Sequence, residues 1–279
     1  MKEDLNAFIE IALYEDIREG DHTSLACIPP TAIGKAQLLV KESGILAGME
    51  VAKAIFKKVN SDIQFFPLMN DGDKMALGDV AFIAEGPSGS LLTAERLVLN
   101  CMQRMSGIAT KTNNIVSLLK GTKAKVLDTR KTTPGIRLLE KWAVTIGGGV
   151  NHRFGLYDMM MIKDNHIDFA GGIKSAICQA NAYLKKNGLD IAIEIEARNL
   201  EEVNEILKTG QVQRIMLDNF TYADTRTAVE LINGQYETES SGGINENTIR
   251  KYALCGVDFI SVGALTHSVN SLDLSLKAI

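Results

Sequence analysis

Five side chains that are cationic or can become so stand in short loops of this sequence: Arg130, Lys131, His152, Arg153 and Lys163. Each follows a short apolar run or a glycine-rich turn, where a strand or helix is expected to have ended. The whole chain has a net charge of -4, so these loops would form a local basic pocket in an acidic protein. Such a pocket favours a small polyanion as its ligand.

Carboxylates and glycines end the other apolar runs. Glu196 and Asp218 could together hold Mg²⁺, which needs only one or two protein carboxylates beside substrate phosphates. Glycine lets backbone N–H groups approach a phosphate closely, so a phosphate site is predicted where glycines follow the last two runs. Those segments are Ser241-Gly242-Gly243 and Val262-Gly263-Ala264.

An alternation of strands and helices is predicted to bring these loops together. The predicted strands are 124–128, 158–162, 191–196, 214–218, 236–240 and 258–262, and helices are predicted at 173–186, 199–209, 221–233 and 246–255. Six such units in sequence predict a parallel sheet and favour a closed barrel. The active site of a barrel lies at the carboxyl ends of its strands, where the residues above are expected, except His152 and Arg153, which follow the glycine-rich turn.

The N-terminal part has a different pattern. Apolar residues recur with helical spacing over 4–16, and 35–85 is β-like, with Gly, Pro and Asn-Asp-Gly turns, so a small α+β domain with a partly antiparallel sheet is expected. Thr93 is predicted to cap a helix that begins at Ala94, and Ser106-Gly107 to break it and to mark the domain boundary.

Composition excludes several classes of protein. A pI near 5.7 argues against a nucleic-acid binder, and no apolar run is long enough to span a membrane. The acidic N-terminus is unlike a signal or transit peptide, so a cytoplasmic protein is predicted. The four cysteines are scattered, and buried thiols are expected: Cys27, Cys101, Cys178 and Cys255.

Covalent catalysis has no evident nucleophile here. The sequence has no G-x-S-x-G motif, and Gly147-Gly148-Gly149 follows a helix, unlike a Rossmann loop. Lys163 could form a Schiff base, but Asp164 beside it and the other cations favour an ordinary ammonium. Positioning and electrostatic stabilisation of a phosphorylated, multiply charged substrate remain as the predicted chemistry.

A series of motifs resembles the quinolinate phosphoribosyltransferase family, a group of type II phosphoribosyltransferases. The motifs occur in order along nearly the whole chain: T-A-E-R at 93–96, N-x-x-Q-R-x-S-G-I-A-T at 100–110, D-T-R-K-T-x-P-G at 128–135, G-G-G-x-N-H-R at 147–153, I-K-D-N-H at 162–166, E-x-E at 194–196, L-D-N-F at 217–220, S-S-G-G-I at 240–244 and V-G-A-L-T-H-S at 262–268.

The resemblance implies an α/β protein with an N-terminal domain (1–107), an incomplete (β/α) barrel (108–268) and a C-terminal segment (269–279) packing on the first domain. It implies a homodimer, or a multiple of one. The implied reaction joins quinolinate to 5-phosphoribosyl 1-diphosphate with Mg²⁺, giving nicotinate mononucleotide, diphosphate and CO₂ on the way to NAD.

Roles for individual residues follow from the resemblance. Quinolinate would be bound by Arg130, His152, Arg153 and Lys163, and by Arg96 reaching in from the other subunit. Lys131 would meet the diphosphate, and Thr129 the substrates beside it. Glu196 and Asp218 would meet the ribose and Mg²⁺, and the 5-phosphate would lie on Ser241, Gly242, Gly243, Val262, Gly263 and Ala264. Lys131, Lys163, Glu196 and Asp218 are the predicted catalytic residues.

Other polar residues are predicted to be structural. Glu194 is expected to shape the pocket or pair with a cation, three histidines (His22, His166, His267) to cap or hydrogen-bond, and three cations (Arg104, Arg137, Lys141) to lie on helix surfaces. Two other functions stay open: a relative acting on another pyridine such as nicotinate, or associated with molybdate transport, and a non-catalytic phosphate-ligand binding protein.

Overall fold

The computed structural model describes residues 2–279, apart from the side chain of Lys2. In chain order the elements are α1 (Lys2–Ile17), α2 (His22–Cys27), β1 (Ile33–Val40), β2 (Gly44–Ile45), α3 (Met49–Val59), β3 (Gln64–Pro67), β4 (Lys74–Met75), β5 (Val80–Pro87), α4 (Ser88–Leu118), β6 (Lys125–Leu127), α5 (Arg137–Ile146), β7 (Met160–Ile162), α6 (Asp164–Ala170), α7 (Ile173–Asn187), β8 (Ile193–Ala197), α8 (Leu200–Thr209), β9 (Arg214–Asp218), α9 (Tyr222–Ile232), β10 (Glu237–Ser241), α10 (Ile249–Ala253), β11 (Phe259–Ser261), α11 (Ala264–His267) and β12 (Leu274–Ala278).

The described residues form two compact units. The first contains the chain up to Asn113 together with Thr132–Gly148 and Leu265–Ile279, and the second contains Asn114–Lys131 and Gly149–Ala264. The predicted ranges, 1–107, 108–268 and 269–279, differ from these units. The reason is that the chain returns to the first unit twice, at helix α5 and at the C-terminal segment.

The first unit is built on a four-stranded sheet in the order β12-β1-β5-β3. All three pairs of neighbouring strands in this sheet are antiparallel, and β12 lies against β1 with Leu276 opposite Leu38. Three aromatic rings, those of Phe56, Phe65 and Phe82, pack with centroids 4.6–6.2 Å apart where α3 covers the sheet. The predicted α+β unit with an antiparallel sheet is therefore confirmed.

Helix α4 runs without interruption through Ser106 and Gly107, so the predicted helix break is wrong. Both residues are explained by close contacts of α4 with neighbouring segments of the first unit. A Cβ on Gly107 would lie 2.2 Å from the carbonyl oxygen of Asn270, and the Ser106 hydroxyl accepts the Ala47 N–H at 3.0 Å. The predicted helix start is also wrong: α4 begins at Ser88, and the Thr93 hydroxyl donates to the Gly89 carbonyl inside it.

The second unit is a six-stranded parallel sheet in the order β6-β11-β10-β9-β8-β7. Its strands agree with the six predicted ones to within a few residues at each end. Among the described residues β6 and β7 do not pair, and Val150 bridges to Leu127 beside β6 instead. The barrel is therefore incomplete, as the resemblance implies, and not closed as strand counting alone suggested.

Two further observations concern the chain as a whole. None of the described helices is long and apolar enough to cross a membrane. The prediction that all four cysteines are buried is wrong, because Cys27 and Cys178 are exposed, whereas Cys101 and Cys255 are buried. Cys27 ends α2, a short helix with no buried residue, and Cys178 lies on the exposed side of α7.

Candidate active site

Two of the basic loops are tied together inside the second unit. Asp128, fully buried at the end of β6, accepts the backbone N–H of His152 at 2.8 Å. In the loop that follows, the Thr129 hydroxyl accepts the backbone N–H of Lys131 at 3.0 Å. The loop after β6 is thus held by its own side chains, and Arg130 and Lys131 stand exposed at its tip.

The guanidinium of Arg153 lies in a positively charged environment. Its Nη1 donates to the carbonyl of Met159 at 3.3 Å. Burial lowers the pKa of Arg153, and the charge of Arg130 lowers it further, against weaker opposing effects of Glu194, Asp158 and Glu196. A partly buried guanidinium whose charge is disfavoured by a second guanidinium nearby is suited to binding an anion.

His152 lies beneath these cations with its ring turned towards two buried carboxylates. The ring Nε2 is 2.9 Å from Glu194 Oε2 and 3.4 Å from Glu239 Oε2, and both carboxylates are fully buried. Glu239 also binds Arg214, whose Nη1 is 3.2 Å away. These groups come from neighbouring strands β8, β9 and β10, whose side chains converge inside the barrel.

Carboxylates crowd around Lys163 at the end of β7. The ammonium of Lys163 is 2.5 Å from Glu196 Oε1, and the backbone N–H of Asp164 reaches Glu196 Oε2 at 3.3 Å. Burial raises the pKa of Asp218; a hydrogen bond from Asn219 opposes this, and the charge of Glu196 reinforces it. Glu196 and Asp218 therefore lie close enough to repel, an arrangement that a cation would relieve.

The strand end after β10 has a backbone that only glycine adopts easily. Gly242 has φ +102° and Gly243 has φ +60°. A Cβ on Gly242 would lie 2.2 Å from Asn219 Oδ1 and 2.9 Å from the Asn219 backbone nitrogen, so two strand-end loops touch here. The neighbouring strand β11 ends beside this turn at Ser261, followed by Val262, Gly263 and Ala264.

Mg²⁺ fits the carboxylate pair at β8 and β9. The Glu196 side chain is largely buried, and burial together with the charge of Glu196 raises the pKa of Asp218, so extra positive charge would stabilise the Asp218 anion. Two carboxylates with a phosphate site alongside are the donor set that Mg²⁺ uses in proteins that act on phosphorylated substrates.

Comparison with protein families gives two matches that together cover most of the chain. Residues 21–106 match the model of the quinolinate phosphoribosyl transferase N-terminal domain, and residues 108–277 match that of the C-terminal domain. The chain belongs to the quinolinate phosphoribosyl transferase family.

Individual members of this family are similar over nearly the full chain. The nicotinate-nucleotide pyrophosphorylase [carboxylating], chloroplastic, of Arabidopsis thaliana is 46% identical, covering 98% of this chain and 82% of its own. The quinolinate phosphoribosyltransferase [decarboxylating] 1b of Nicotiana tabacum is 45% identical with the same coverage. The crystal structure of NadC from Streptococcus pyogenes superposes with a TM-score of 0.93 at 38% identity, covering 100% of this chain and 98% of that one.

The family resemblance and the fold class predicted from sequence are thus confirmed. Within the second unit, the structure places the predicted site residues at carboxyl strand ends or in the loops after them. Arg96 lies in the first unit, exposed on α4, beside a cavity of about 310 Å³ lined also by Glu15, Asp16 and Arg104. Its predicted role in a partner subunit stays a prediction.

The prediction that Arg104 and Lys141 are surface charges is wrong. Arg104 donates to Glu140 at 2.7 Å and to the carbonyls of Thr266 and Val269, and Glu140 is fully buried. Lys141 is 1% exposed. Lys141 is buried and Arg104 is half-buried against the buried Glu140, and a charged residue at such a position is tolerated only with partners.

Sequence reasoning recognised Glu194 as a partner for a cation, which the ion pair with His152 confirms. It missed Glu239 and Arg214. A signal was available: each is a charged residue inside a predicted parallel strand, which packs on both faces and should be apolar. Charges at such positions require partners inside the barrel.

Proposed function

We propose that this chain transfers the phosphoribosyl group of 5-phosphoribosyl 1-diphosphate to quinolinate, releasing diphosphate and CO₂ and forming nicotinate mononucleotide for NAD biosynthesis. The observation that carries the proposal is the pair of guanidiniums, Arg130 and Arg153, sharing one anion site beside the carboxylates Glu196 and Asp218. Family membership and the activities named for its relatives support it.

Quinolinate has two neighbouring carboxylates on a pyridine ring, and the basic loops offer matching donors. The planar guanidiniums of Arg130 and Arg153 can each meet a carboxylate with two parallel hydrogen bonds. His152 and Lys163 complete the set from the same unit, and Arg96 of a partner subunit closes it in a homodimer. A dicarboxylate satisfies all these cations, whereas a monocarboxylate leaves some of them without an anion.

The phosphorylated ribose occupies the other side of the site. Its 5-phosphate lies on the glycine turn at Gly242 and Gly243 and on the backbone after β11, where N–H groups can donate without side chains intervening. Glu196 and Asp218 face the ribose hydroxyls, and Lys131 meets the departing diphosphate beside Thr129. Mg²⁺ bound by Glu196 and Asp218 would neutralise the charge of the diphosphate.

The reaction proceeds by electrostatic stabilisation. The bond from the anomeric carbon to diphosphate breaks with its electrons leaving on the diphosphate, and the pyridine nitrogen supplies the electron pair for the new bond. The ring carbon then loses its adjacent carboxylate as CO₂, the bonding electrons are stabilised by the positive ring nitrogen, and a proton from solvent replaces the carboxylate. The cation-like ribose is stabilised by nearby carboxylates, and the cations hold the dianion in place.

The test is turnover with each pyridine. Purified enzyme with Mg²⁺ and 5-phosphoribosyl 1-diphosphate should release CO₂ from quinolinate and form nicotinate mononucleotide. Nicotinate should react at least about 10²-fold more poorly in kcat/KM, because each cation left without an anion costs roughly 1–3 kcal/mol. Equal turnover of the two pyridines would favour a nicotinate-specific relative, and activity without Mg²⁺ would remove the metal from the proposal. The cytoplasm is proposed as the site of action of this chain, whereas the Arabidopsis relative is named as a chloroplastic protein.

A further inference from the structure

The buried cluster inside the barrel contains more charge than the proposed chemistry uses. Glu194 on β8 and Glu239 on β10 are both fully buried, and Arg214 on β9 lies between those strands. The Arg214 guanidinium reaches Glu239 with Nη1 at 3.2 Å and the exposed Glu237 with Nη2 at 2.9 Å. The guanidinium forms ion pairs with two carboxylates, and its charge also acts on the pKa of Glu194, which lowers that pKa against the effect of burial.

His152 is the group that faces both buried carboxylates. Its side chain is 4% exposed, and Nε2 lies 2.9 Å from Glu194 and 3.4 Å from Glu239. A buried carboxylate without a counter-charge is strongly disfavoured. A second proton on the imidazole makes the ring cationic and so offsets the negative charge of the cluster. Both carboxylates lie within ion-pair distance of the same ring nitrogen, and a rotation of the ring would move Nε2 away from both oxygens.

We propose that Glu194 and Glu239 are positioning residues that orient the His152 ring through Nε2 and favour its cationic form, in which Nδ1 gives up its contact with the Arg153 N–H and donates a hydrogen bond to a carboxylate of the pyridine dicarboxylate. This inference rests on the proposed function for the identity of that carboxylate. Arg214 is the residue that holds Glu239 in place for this purpose.

The second ring nitrogen has two possible partners. The backbone N–H of Arg153 lies 2.6 Å from Nδ1, an acceptor role that only the neutral ring can take. In the cationic ring Nδ1 carries a proton and requires an acceptor, which an arriving carboxylate supplies. Binding of a dianion therefore favours the cationic state that the buried carboxylates already support.

The charges of the two buried carboxylates also favour the cationic form of the His152 ring. Burial lowers the pKa of His152, but the hydrogen bonds and charges of Glu194 and Glu239 outweigh it and raise the pKa to about 9. Burial raises the pKa of Glu194, whereas bonds from His152 lower that of Glu239 against its burial. Glu239 is thus the main source of negative charge and Glu194 mainly orients. Other charged groups near the ring are Arg214 on β9, Asp128 after β6, and Arg153 and Arg130.

The same three side chains have the composition of a metal site, since their ligand atoms lie within 4.8 Å of one another. The Glu239 oxygen that faces His152 is also the one that binds Arg214. A divalent cation at that oxygen would meet a guanidinium, so an internal ion pair accounts for the cluster better.

The experiment compares Glu239→Gln and Glu194→Gln with Glu237→Gln, a control on the same strand that removes a carboxylate from the same arginine at an exposed position. Glu239→Gln should raise the KM for quinolinate about 10- to 100-fold, the equivalent of one charged hydrogen bond, and change the KM for 5-phosphoribosyl 1-diphosphate less than about 2-fold. Glu194→Gln should act in the same direction, and Glu237→Gln should leave both constants within about 2-fold.

A second readout does not depend on turnover. Histidine-selective ¹⁵N NMR, with the resonance assigned by a His152→Gln variant, should place the wild-type titration of His152 at about 9. Glu239→Gln should lower it by at least about one unit, and Glu237→Gln should not. If the wild type does not turn over quinolinate, the proposed function fails while this measurement still decides the role of the two carboxylates.

Several results would overturn the inference. They are an unchanged His152 titration in both buried-site variants, an equal rise in the KM of both substrates, or a stoichiometric metal in the wild type that is lost in Glu239→Gln. Failure of both buried-site variants to fold while Glu237→Gln folds would show that the carboxylates serve the core alone.

Discussion

The ammonium of Lys163 lies 2.5 Å from Glu196 Oε1, although the two are proposed to bind different substrates. Lys163 is proposed to meet a quinolinate carboxylate, and Glu196 the ribose and Mg²⁺. In the structure each is the other's counter-ion. Binding of the ribose and metal at Glu196 would therefore release the lysine for quinolinate, which couples the two binding steps.

Removing the Glu196 charge should separate binding from turnover. In Glu196→Gln, Lys163 loses its competing anion, so quinolinate alone should bind roughly 2- to 5-fold more tightly, the value of a half-exposed ion pair. Turnover should fall by about 10²-fold or more, because a group facing the transition state has lost its charge. Isothermal titration calorimetry and steady-state kinetics measure the two effects.

Glu202→Gln is the matched control for that variant, since it frees Arg198 from a comparable ion pair without touching Lys163. It should leave both quinolinate affinity and turnover unchanged. Weaker quinolinate binding in Glu196→Gln would mean that Glu196 supports Lys163 and does not compete for it.

Lys131→Ala should reduce kcat by about 10²-fold or more and leave the melting temperature within about 1 °C, because the side chain is exposed at a strand-end loop. Lys125→Ala serves as the control, because it removes an exposed lysine at the start of β6, whereas Lys131 lies in the loop after the end of that strand. Full activity of Lys131→Ala, or unfolding seen by circular dichroism, would contradict the role of this loop.

Asp218→Asn should make the protein less active but slightly more stable. Burial raises the pKa of Asp218, so stability falls as the pH rises above the ordinary value of 3.8, and the loss is complete once the pH exceeds the folded pKa. Removing the charge should raise the melting temperature by roughly 1–3 °C at pH 8, with the gain disappearing as the pH falls below the ordinary value of 3.8. Turnover should fall about 10²- to 10³-fold.

Calorimetry from pH 4 to 8 measures the stability difference, and Asp190→Asn, at an exposed loop position, is the control. A lower melting temperature for Asp218→Asn at pH 8 would show that the carboxylate has stabilising partners that outweigh its burial.

Gly242→Ala should weaken binding of 5-phosphoribosyl 1-diphosphate by about 10-fold or more. The added Cβ would lie 2.2 Å from Asn219 Oδ1 at a backbone φ of +102°, so the turn must move. Gly188→Ala is the control, because Gly188 also has a positive φ but a Cβ at that position would have no other atom within 4 Å. Both variants lose some stability from backbone strain, and only the first should raise the KM for the phosphorylated substrate.

Arg96→Ala and Lys163→Ala homodimers should each be nearly inactive if Arg96 reaches the site of a partner subunit. Unfolded and refolded together, they should recover roughly a quarter of wild-type activity. Half of the dimers are then mixed, and each mixed dimer has one intact site of two. Quinolinate turnover is assayed after mass spectrometry has shown that mixed dimers formed. Absence of recovery would assign Arg96 to its own chain or to no site.

The strands of the second unit and many of the proposed site residues could be predicted from the local sequence pattern. The six parallel strands followed from apolar runs alternating with helical spacing, and Arg214–Asp218 was predicted to the residue. Strand-end residues such as Lys163 and Asp218 could be identified because parallel strands present their carboxyl ends on one side of a sheet. Nothing beyond the order of residues along the chain is needed for either inference.

Contacts between residues distant in sequence were decided by the tertiary structure. Gly107 looked like a helix breaker, yet it lies inside α4 because the Asn270 carbonyl leaves no room for a side chain there. Glu239 and Arg214 are charged residues inside predicted strands, and only the barrel shows that Glu239 faces both His152 and Arg214. A glycine or a buried charge is required at a position because of the residue that packs against it, and only the folded structure brings that neighbour there. The spacing of apolar residues, in contrast, follows from the repeat of the helix or strand itself.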